Sequence, residues 1–247
     1  MRALVIQHDH LCVPAVVGER LHERGYDLQV HLVVSVERYD TPDVVTTFPD
    51  PTDFDLVVTL GAPWSVYDHG TVGSWVLSEL DLLRRADAAA VPVLGICFGG
   101  QLLALAHGGS VSRSESPELG WVDVSSDDDD LVPSGSWFAW HYDRWEAPAG
   151  SVEVARNTSS PQAFVLRRNL ALQFHPEITA AVVEGWIGDA GGRRDLAQLG
   201  LDAATLVRQT REVAAENRRR AAVLVDGFLA HVAAGRAQPI GSPARPV

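Results

Sequence analysis

Two cysteines stand in the chain, Cys12 and Cys97, and only the second lies where a sulfur could do chemistry. It sits in Gly95-Ile96-Cys97-Phe98-Gly99-Gly100, directly after the apolar run 91–96 and at the start of an apolar helical pattern. Gly-x-nucleophile-x-Gly between a strand and a helix is the pattern of a sharp, strained turn that lifts a side chain out of a sheet. The glycines let strand and helix approach closely. The helix N-terminus favours a thiolate, which matters because a free thiol near pKa 8.5 is only a few per cent ionised at neutral pH. A free cysteine after a strand is most often plain core. The flanking glycines turn the reading toward a nucleophile.

A nucleophilic thiol needs a base, and the base needs a group to orient it. Of the nine histidines, His22, His107 and His231 fall within or at the ends of helical patterns. His175 differs: it stands in Gln173-Phe174-His175-Pro176-Glu177, between a strand-like run and a helical one. Pro176 ends strand pairing and biases His175 to extended backbone. Glu177 can then reach the same imidazole through a local turn.

Gly95-x-Cys97-x-Gly99-x-Gln101, followed far downstream by His175-Pro176-Glu177, resembles the class I (triad) glutamine amidotransferases. Within them it is most similar to the stand-alone proteins related to the glutaminase domain of GMP synthase. The resemblance spans roughly 56–186. It implies that Cys97 attacks a γ-glutamyl amide carbonyl to give a thioester. His175 is then base and afterwards acid, and Glu177 holds His175. Gln101 would contact the glutamyl group, and an oxyanion hole would use the backbone N–H groups of Ala62 and Phe98. Such donors are worth about 3–4 kcal/mol each in the transition state. Gly61, His141 and Tyr142 complete the implied substrate-binding set.

Two segments depart from the family pattern. The usual Gly-Gly-Pro loop is Gly61-Ala62-Pro63; a positive φ at Ala62 would be strained where glycine is not. A usual Ser-His-Gly-Asp segment is Trp140-His141-Tyr142-Asp143, which puts backbone contacts at Tyr142 in question. His141 and Asp143 read equally as a structural hydrogen-bonding pair. Trp137, Trp140 and Trp145 read as core or cleft wall. His8-Asp9-His10 is read as cleft rim rather than metal site, and no metal or cofactor is expected. Cys12 is read as structural or incidental.

The elements that must hold these groups follow a strand–helix alternation. Strands are expected over 3–6, 27–34, 56–60 and 91–96, with helices over 14–24, 74–90 and 100–107. This is a doubly wound α/β pattern with a mostly parallel sheet, and the resemblance implies that its topology is flavodoxin-like, that of the class I amidotransferases. Between 110 and 173 short alternating runs (121–124, 137–140, 152–155, 163–167 and 171–174) add antiparallel strands. Two helices, 179–188 and a long one within 202–234, are expected to close one domain over 1–236, leaving a mobile tail over 237–247. Asp127–Asp130 reads as a solvated loop and Arg218-Arg219-Arg220 as a solvated helix face.

Composition bounds the function. The 247 residues carry 20 Lys+Arg against 32 Asp+Glu, a formal charge of −12. That balance argues against nucleic acid and anionic lipid as partners. Two cysteines make no disulfide scaffold, and no run reaches the roughly 18 apolar residues of a membrane span. The cytoplasm is the expected compartment. The expected partners are a small-molecule substrate, glutamine or a γ-glutamyl amide, and either a separate synthase or a second copy in a homodimer. Three activities are weighed: a glutaminase that supplies ammonia to that synthase, a self-sufficient γ-glutamyl amide or peptide hydrolase, and a non-enzymatic binding module.

Overall fold

The computed structural model describes residues 1–235; the tail expected over 237–247 lies outside the described residues. One nine-stranded sheet runs through the molecule. Its strands are β1 (Arg2–Gln7), β2 (Asp27–Leu32), β3 (Leu56–Thr59), β4 (Val93–Ile96), β5 (Ser110–Ser126), β6 (Gly135–Glu146), β7 (Val152–Arg156), β8 (Pro161–Leu166) and β9 (Asn169–Leu172). Their order is β2-β1-β3-β4-β9-β8-β7-β5-β6. The first five in that order are parallel, and the remaining pairings are antiparallel. The expected doubly wound sheet with added antiparallel strands is what the chain forms.

The inner strands β3, β4 and β9 are buried along their whole length, as near-continuous apolar runs in a parallel sheet should be. Alternate residues divide between two cores. Val5, Val58, Ile96 and Leu172 face α1 (Ala15–Glu23) and α7 (Ala214–Gly227) through Val17, Leu21, Leu224 and Val225. Leu4, Ile6, Val57 and Ala171 face α2 (His69–Ala88) and α3 (Phe98–Ala106) through Trp75, Leu83, Leu102 and Leu103. A third cluster joins Phe138 of β6 to Ile178, Val182, Leu196 and Leu206, under α4 (Ala180–Gly188), α5 (Ala190–Leu199) and α6 (Ala203–Glu212).

Several boundaries move from their expected places. Helix α2 starts five residues before 74, at His69, and α3 starts at Phe98, immediately after Cys97. Strands β5 and β6 are 17 and 12 residues long. One face of that hairpin is solvated, so its polar residues hid its length. The single long C-terminal helix is instead α6 and α7, broken at Val213 (φ −97°, ψ 3°), with a last turn Phe228–Val232 of π geometry. The break lets α6 dock on β5, where Trp121 Nε1 donates to Thr210 Oγ1 (3.2 Å), while α7 turns back onto α1. Arg220 does not lie on a solvated face. It is buried, bonded to the Ser136 carbonyl and placed over the Trp137 ring at 5.4 Å, whereas Arg218 and Arg219 pair with Glu19 and Glu216. No helix among the described residues is long and apolar enough to cross a membrane.

Candidate active site

The β4–α3 junction places Cys97 at the carboxyl end of the central parallel strands, with φ 52° and ψ −106°. A non-glycine residue there is strained, and such residues persist only where their surroundings over-determine them. The surroundings here are backbone. The Cys97 N–H donates to the Leu172 carbonyl (2.7 Å), and the Cys97 carbonyl accepts from Gln101 N–H (2.9 Å). A methyl group at 95 would lie 2.6 Å from the Gly99 carbonyl oxygen, and one at 100 would lie 2.6 Å from that of Leu172. At 99 it would collide with the Thr59 carbonyl. Those contacts explain why glycine occupies all three positions: strand and helix touch main chain to main chain.

His175 is placed by its own backbone. After β9 the chain forms an isolated bridge to β6, in which His175 N–H donates to the Phe138 carbonyl (2.7 Å). The side chain is buried, edge-on to Trp186 with centroids 4.9 Å apart. Its Nδ1 lies 2.7 Å from Glu177 Oε1, and its ring and Cys97 stand side by side over the Gly61 backbone. Burial on its own would lower the imidazole pKa. The Glu177 carboxylate and the Cys97 sulfur outweigh burial and raise it to about 10. Cys97, His175 and Glu177 are thus one cluster of buried groups, brought together from two separate strand ends, with His175 hydrogen-bonded to Glu177.

Gly61 follows β3 and passes closely beneath this cluster. A methyl group on it would lie 2.9 Å from His175 Cε1 and 3.8 Å from Cys97 Cβ. Ala62 does not take the positive φ that its place in the loop raised as a concern. The positive-φ non-glycine residues among those described are Ala15, Ala90, Cys97 and Arg167, so Ala62 carries no such strain. Neither Ala62 N–H nor Phe98 N–H donates to a protein group among the described residues. Both residues line a cavity over the sulfur.

That cavity, about 360 Å³, opens over Cys97 and His175. Gln101, His141 and Tyr142 are in its wall. Gln101 and His141 share an anchor, the Asp143 carbonyl, from which Gln101 Nε2 and His141 Nδ1 lie 3.4 and 3.1 Å away. His141 Nε2 also lies 3.3 Å from Glu118 Oε2. His141 and Asp143 therefore are hydrogen-bonded to each other and also face the cavity. The Asp143 carboxylate accepts from Ser65 (2.5 Å) and Tyr67 (2.7 Å), which ties β6 to the loop after Ala62. Of the tryptophans, Trp137 and Trp145 are core and Trp140 is wall.

Several placements were not legible in the sequence. Helix α5, absent from the expected elements, contributes Gly191, Gly192, Arg194, Asp195 and Gln198 to the wall, and Trp140 Nε1 donates to Asp195 (2.9 Å). Cys12 is wall as well, and burial raises its thiol well above the ordinary range. Of His8-Asp9-His10, read as cleft rim, Asp9 does line the cavity while His8 and His10 do not. His8 points into the core onto Glu79, Asp9 folds back to accept from Leu11 and Cys12 N–H, and His10 packs on Tyr39. Burial holds the Asp9 carboxyl above the usual carboxylate range.

Comparison with known proteins matches the class I glutamine amidotransferase family model over residues 16–184. The chain is 32% identical over 162 residues to a subunit of the glutamine-hydrolysing GMP synthase of Sulfurisphaera tokodaii, an overlap of 60% of this chain and 83% of that one. Among solved structures it superposes on a glutamine amidotransferase from Thermotoga maritima with a TM-score of 0.79 at 22% identity, covering 93% of this chain and 98% of that one. A glutamine amidotransferase from Methylobacillus flagellatus gives a TM-score of 0.77 at 25% identity, covering 100% and 99%.

Proposed function

The chain belongs to the class I glutamine amidotransferase family, and from that premise we propose that it hydrolyses the side-chain amide of glutamine with Cys97, His175 and Glu177. The observation that carries the reading is the buried imidazole of His175, bonded to Glu177 through Nδ1 and lining the same cavity as the sulfur of the strained elbow residue Cys97. Cys97 Sγ attacks the γ-carbonyl carbon, and the thiol proton resides on His175. The carbonyl oxygen gains the negative charge and takes hydrogen bonds from Ala62 and Phe98 N–H, donors that have no other protein partner among the described residues. Collapse breaks the C–N bond. His175 returns the proton to the leaving nitrogen, so ammonia departs and a γ-glutamyl thioester remains. Water then attacks the thioester, loses its proton to His175 and releases glutamate, and the proton returns to the sulfur. Throughout, Glu177 holds the ring orientation and offsets the imidazolium charge. Gly61 gives His175 its space, and Gln101, His141 and Tyr142 line the part of the cavity that receives the substrate.

In this reading the ammonia serves a separate synthase, which is supported by the name of the Sulfurisphaera relative, one subunit of a glutamine-hydrolysing synthase. A second reading is favoured by the α5 wall. Arg194, Asp195 and Gln198 put charged and amide groups on the cavity, where a γ-glutamyl amide of a larger amine would find partners without any partner protein. Purified chain incubated with glutamine, and separately with γ-glutamyl peptides, distinguishes the two when the released amine is identified by mass spectrometry. Ammonia from glutamine, lost in Cys97→Ala, supports the first. Fast peptide turnover without glutamine turnover replaces it by the second. Activity unchanged in Cys97→Ala overturns both.

A further inference from the structure

Behind the loop that carries Ala62 lies a buried ion pair to which the proposed chemistry assigns no task. His8 and Glu79 have no exposed side-chain surface. His8 Nδ1 is 3.0 Å from the Gly61 carbonyl oxygen, and His8 Nε2 is 3.0 Å from Glu79 Oε2. The carbonyl oxygen only accepts, so Nδ1 carries a proton; facing the ionised Glu79 carboxylate Nε2 carries one too, and the ring is then an imidazolium. Glu79 keeps its other oxygen on the Thr59 hydroxyl (2.7 Å). The ring lies nearly parallel to Trp75 (centroids 5.4 Å, 26°) and edge-on to Phe98 (4.8 Å). Burial disfavours the charged ring, yet Glu79 holds the His8 pKa above the ordinary histidine value.

Peptide geometry converts this contact into a direction. There are no cis peptides among the described residues, and in a planar trans peptide the C=O and the following N–H point in opposite senses. Drawing the Gly61 carbonyl into the core toward His8 aims the Ala62 N–H the other way. That way is the cavity: Ala62 lines it, and its N–H has no protein acceptor among the described residues. Rotating the peptide would withdraw this N–H and leave a cationic N–H of His8 unsatisfied in the core, a heavy penalty. A charge-assisted bond to the carbonyl also polarises the amide, making its N–H a better donor. The same ring packs on the side chain of Phe98, whose N–H is the other one without a protein acceptor.

We propose that the buried His8–Glu79 pair is a positioning device that locks the Gly61–Ala62 peptide with its N–H facing the cavity, and so keeps half of the oxyanion hole assembled before substrate arrives. The inference rests on the hydrolytic reading given above. His8 touches no substrate; it acts through one peptide bond.

The test uses the full chain and two probes of Cys97. Hydrolysis of glutamine or of the preferred γ-glutamyl amide develops an oxyanion. Alkylation by iodoacetamide displaces iodide and develops none, so it reports the thiol and His175 alone. His8→Phe keeps the ring packing and removes the donor. His8→Asn puts an amide nitrogen where Nδ1 was. The expected result for His8→Phe is a kcat lower by at least about tenfold and by no more than the roughly 10²–10³-fold that a lost oxyanion donor costs, with alkylation within about twofold of wild type. His8→Asn should recover most of the lost kcat. If His8→Phe fails to fold with Glu79 left unpaired, His8→Phe with Glu79→Gln carries the same expectation. An unchanged kcat in the Phe variant, a parallel fall in kcat and alkylation, or no rescue by Asn overturns the inference while leaving an active wild type intact. A wild-type chain that hydrolyses no γ-glutamyl amide overturns the functional reading and this inference with it.

Discussion

At the scale of single residues, the site is built from contacts with no slack. Gly61 has the His175 ring 2.9 Å from where a methyl would sit. Gly61→Ala must therefore push the imidazole off its line between Cys97 and Glu177, and misplacement of that order costs about 10²-fold in rate. Steady-state kinetics should show kcat down by at least about tenfold while the melting temperature falls only slightly. Glu177 has a different signature, because it holds the His175 pKa up. In the folded protein that pKa is about 10, against about 6.5 for an unfolded histidine. The pair's stabilisation is thus complete below pH ~6.5 and is lost as pH rises through the folded value. Calorimetry from pH 7 to 10 should show wild type losing stability relative to Glu177→Gln, so that the gap between them narrows; a constant gap would refute the coupling. That Cys97, His175 and Glu177 come together was legible because each motif is contiguous: glycines flank the sulfur, and proline turns His175 toward a carboxylate two residues away. His8 was not legible. Its meaning depends on Glu79, 71 residues distant, and on a carbonyl that every residue possesses.

At the scale of elements, two kinds of segment shape the cavity. The β4–α3 junction is fixed by backbone contacts at Gly95, Gly99 and Gly100, and its strand–turn–helix form followed from the sequence pattern. Helix α5 was missed because its apolar face is thin: Ala190–Leu199 carries two glycines and a single buried leucine, Leu196, so only its flanking Asp189 and Gly200 marked it. It is held by the cap of Asp189 on Gly191 N–H, the left-handed Gly200, and Trp140 reaching across to Asp195. Removing that last tether in Asp195→Ala loosens one wall and leaves the Cys97 cluster untouched. The expected change is a KM raised about two- to tenfold, the equivalent of one hydrogen bond of about 0.5–1.5 kcal/mol, with kcat within about twofold. A fall in kcat at constant KM would place Asp195 in the chemistry instead. The β5–β6 hairpin was likewise under-read. Ser112 to Ser116 alternates hydroxyls with charges and has no apolar face, and a register shift between Arg113 and Glu118 interrupts its pairing.

At the scale of the whole molecule, one sheet gathers groups that the sequence scatters. Loops after β1, β3, β4 and β9 converge at the carboxyl ends of neighbouring parallel strands, where doubly wound folds place their ligands. The antiparallel half supplies the opposite wall through β6, and α7 closes the far face against α1, where Arg20 and Arg24 pair with Asp226. The parallel, doubly wound character of the sheet was legible from the alternation. The folding of α4, α5 and α6 over β6 was not, because it depends on a third core of residues widely separated in the chain. The left-handed backbone of Cys97 draws on the stability of all these elements at once. Outside glycine such a conformation costs about 1–3 kcal/mol, so the usual ranking of alanine over glycine should invert at this position. Cys97→Gly should melt a few degrees above Cys97→Ala, at about 2–4 °C per kcal/mol for a chain of this size. A lineage or library selected only for thermal robustness would then drift toward glycine at position 97 and discard the sulfur. The side chain's persistence there would record selection for reactivity against selection for durability, legible in a single codon.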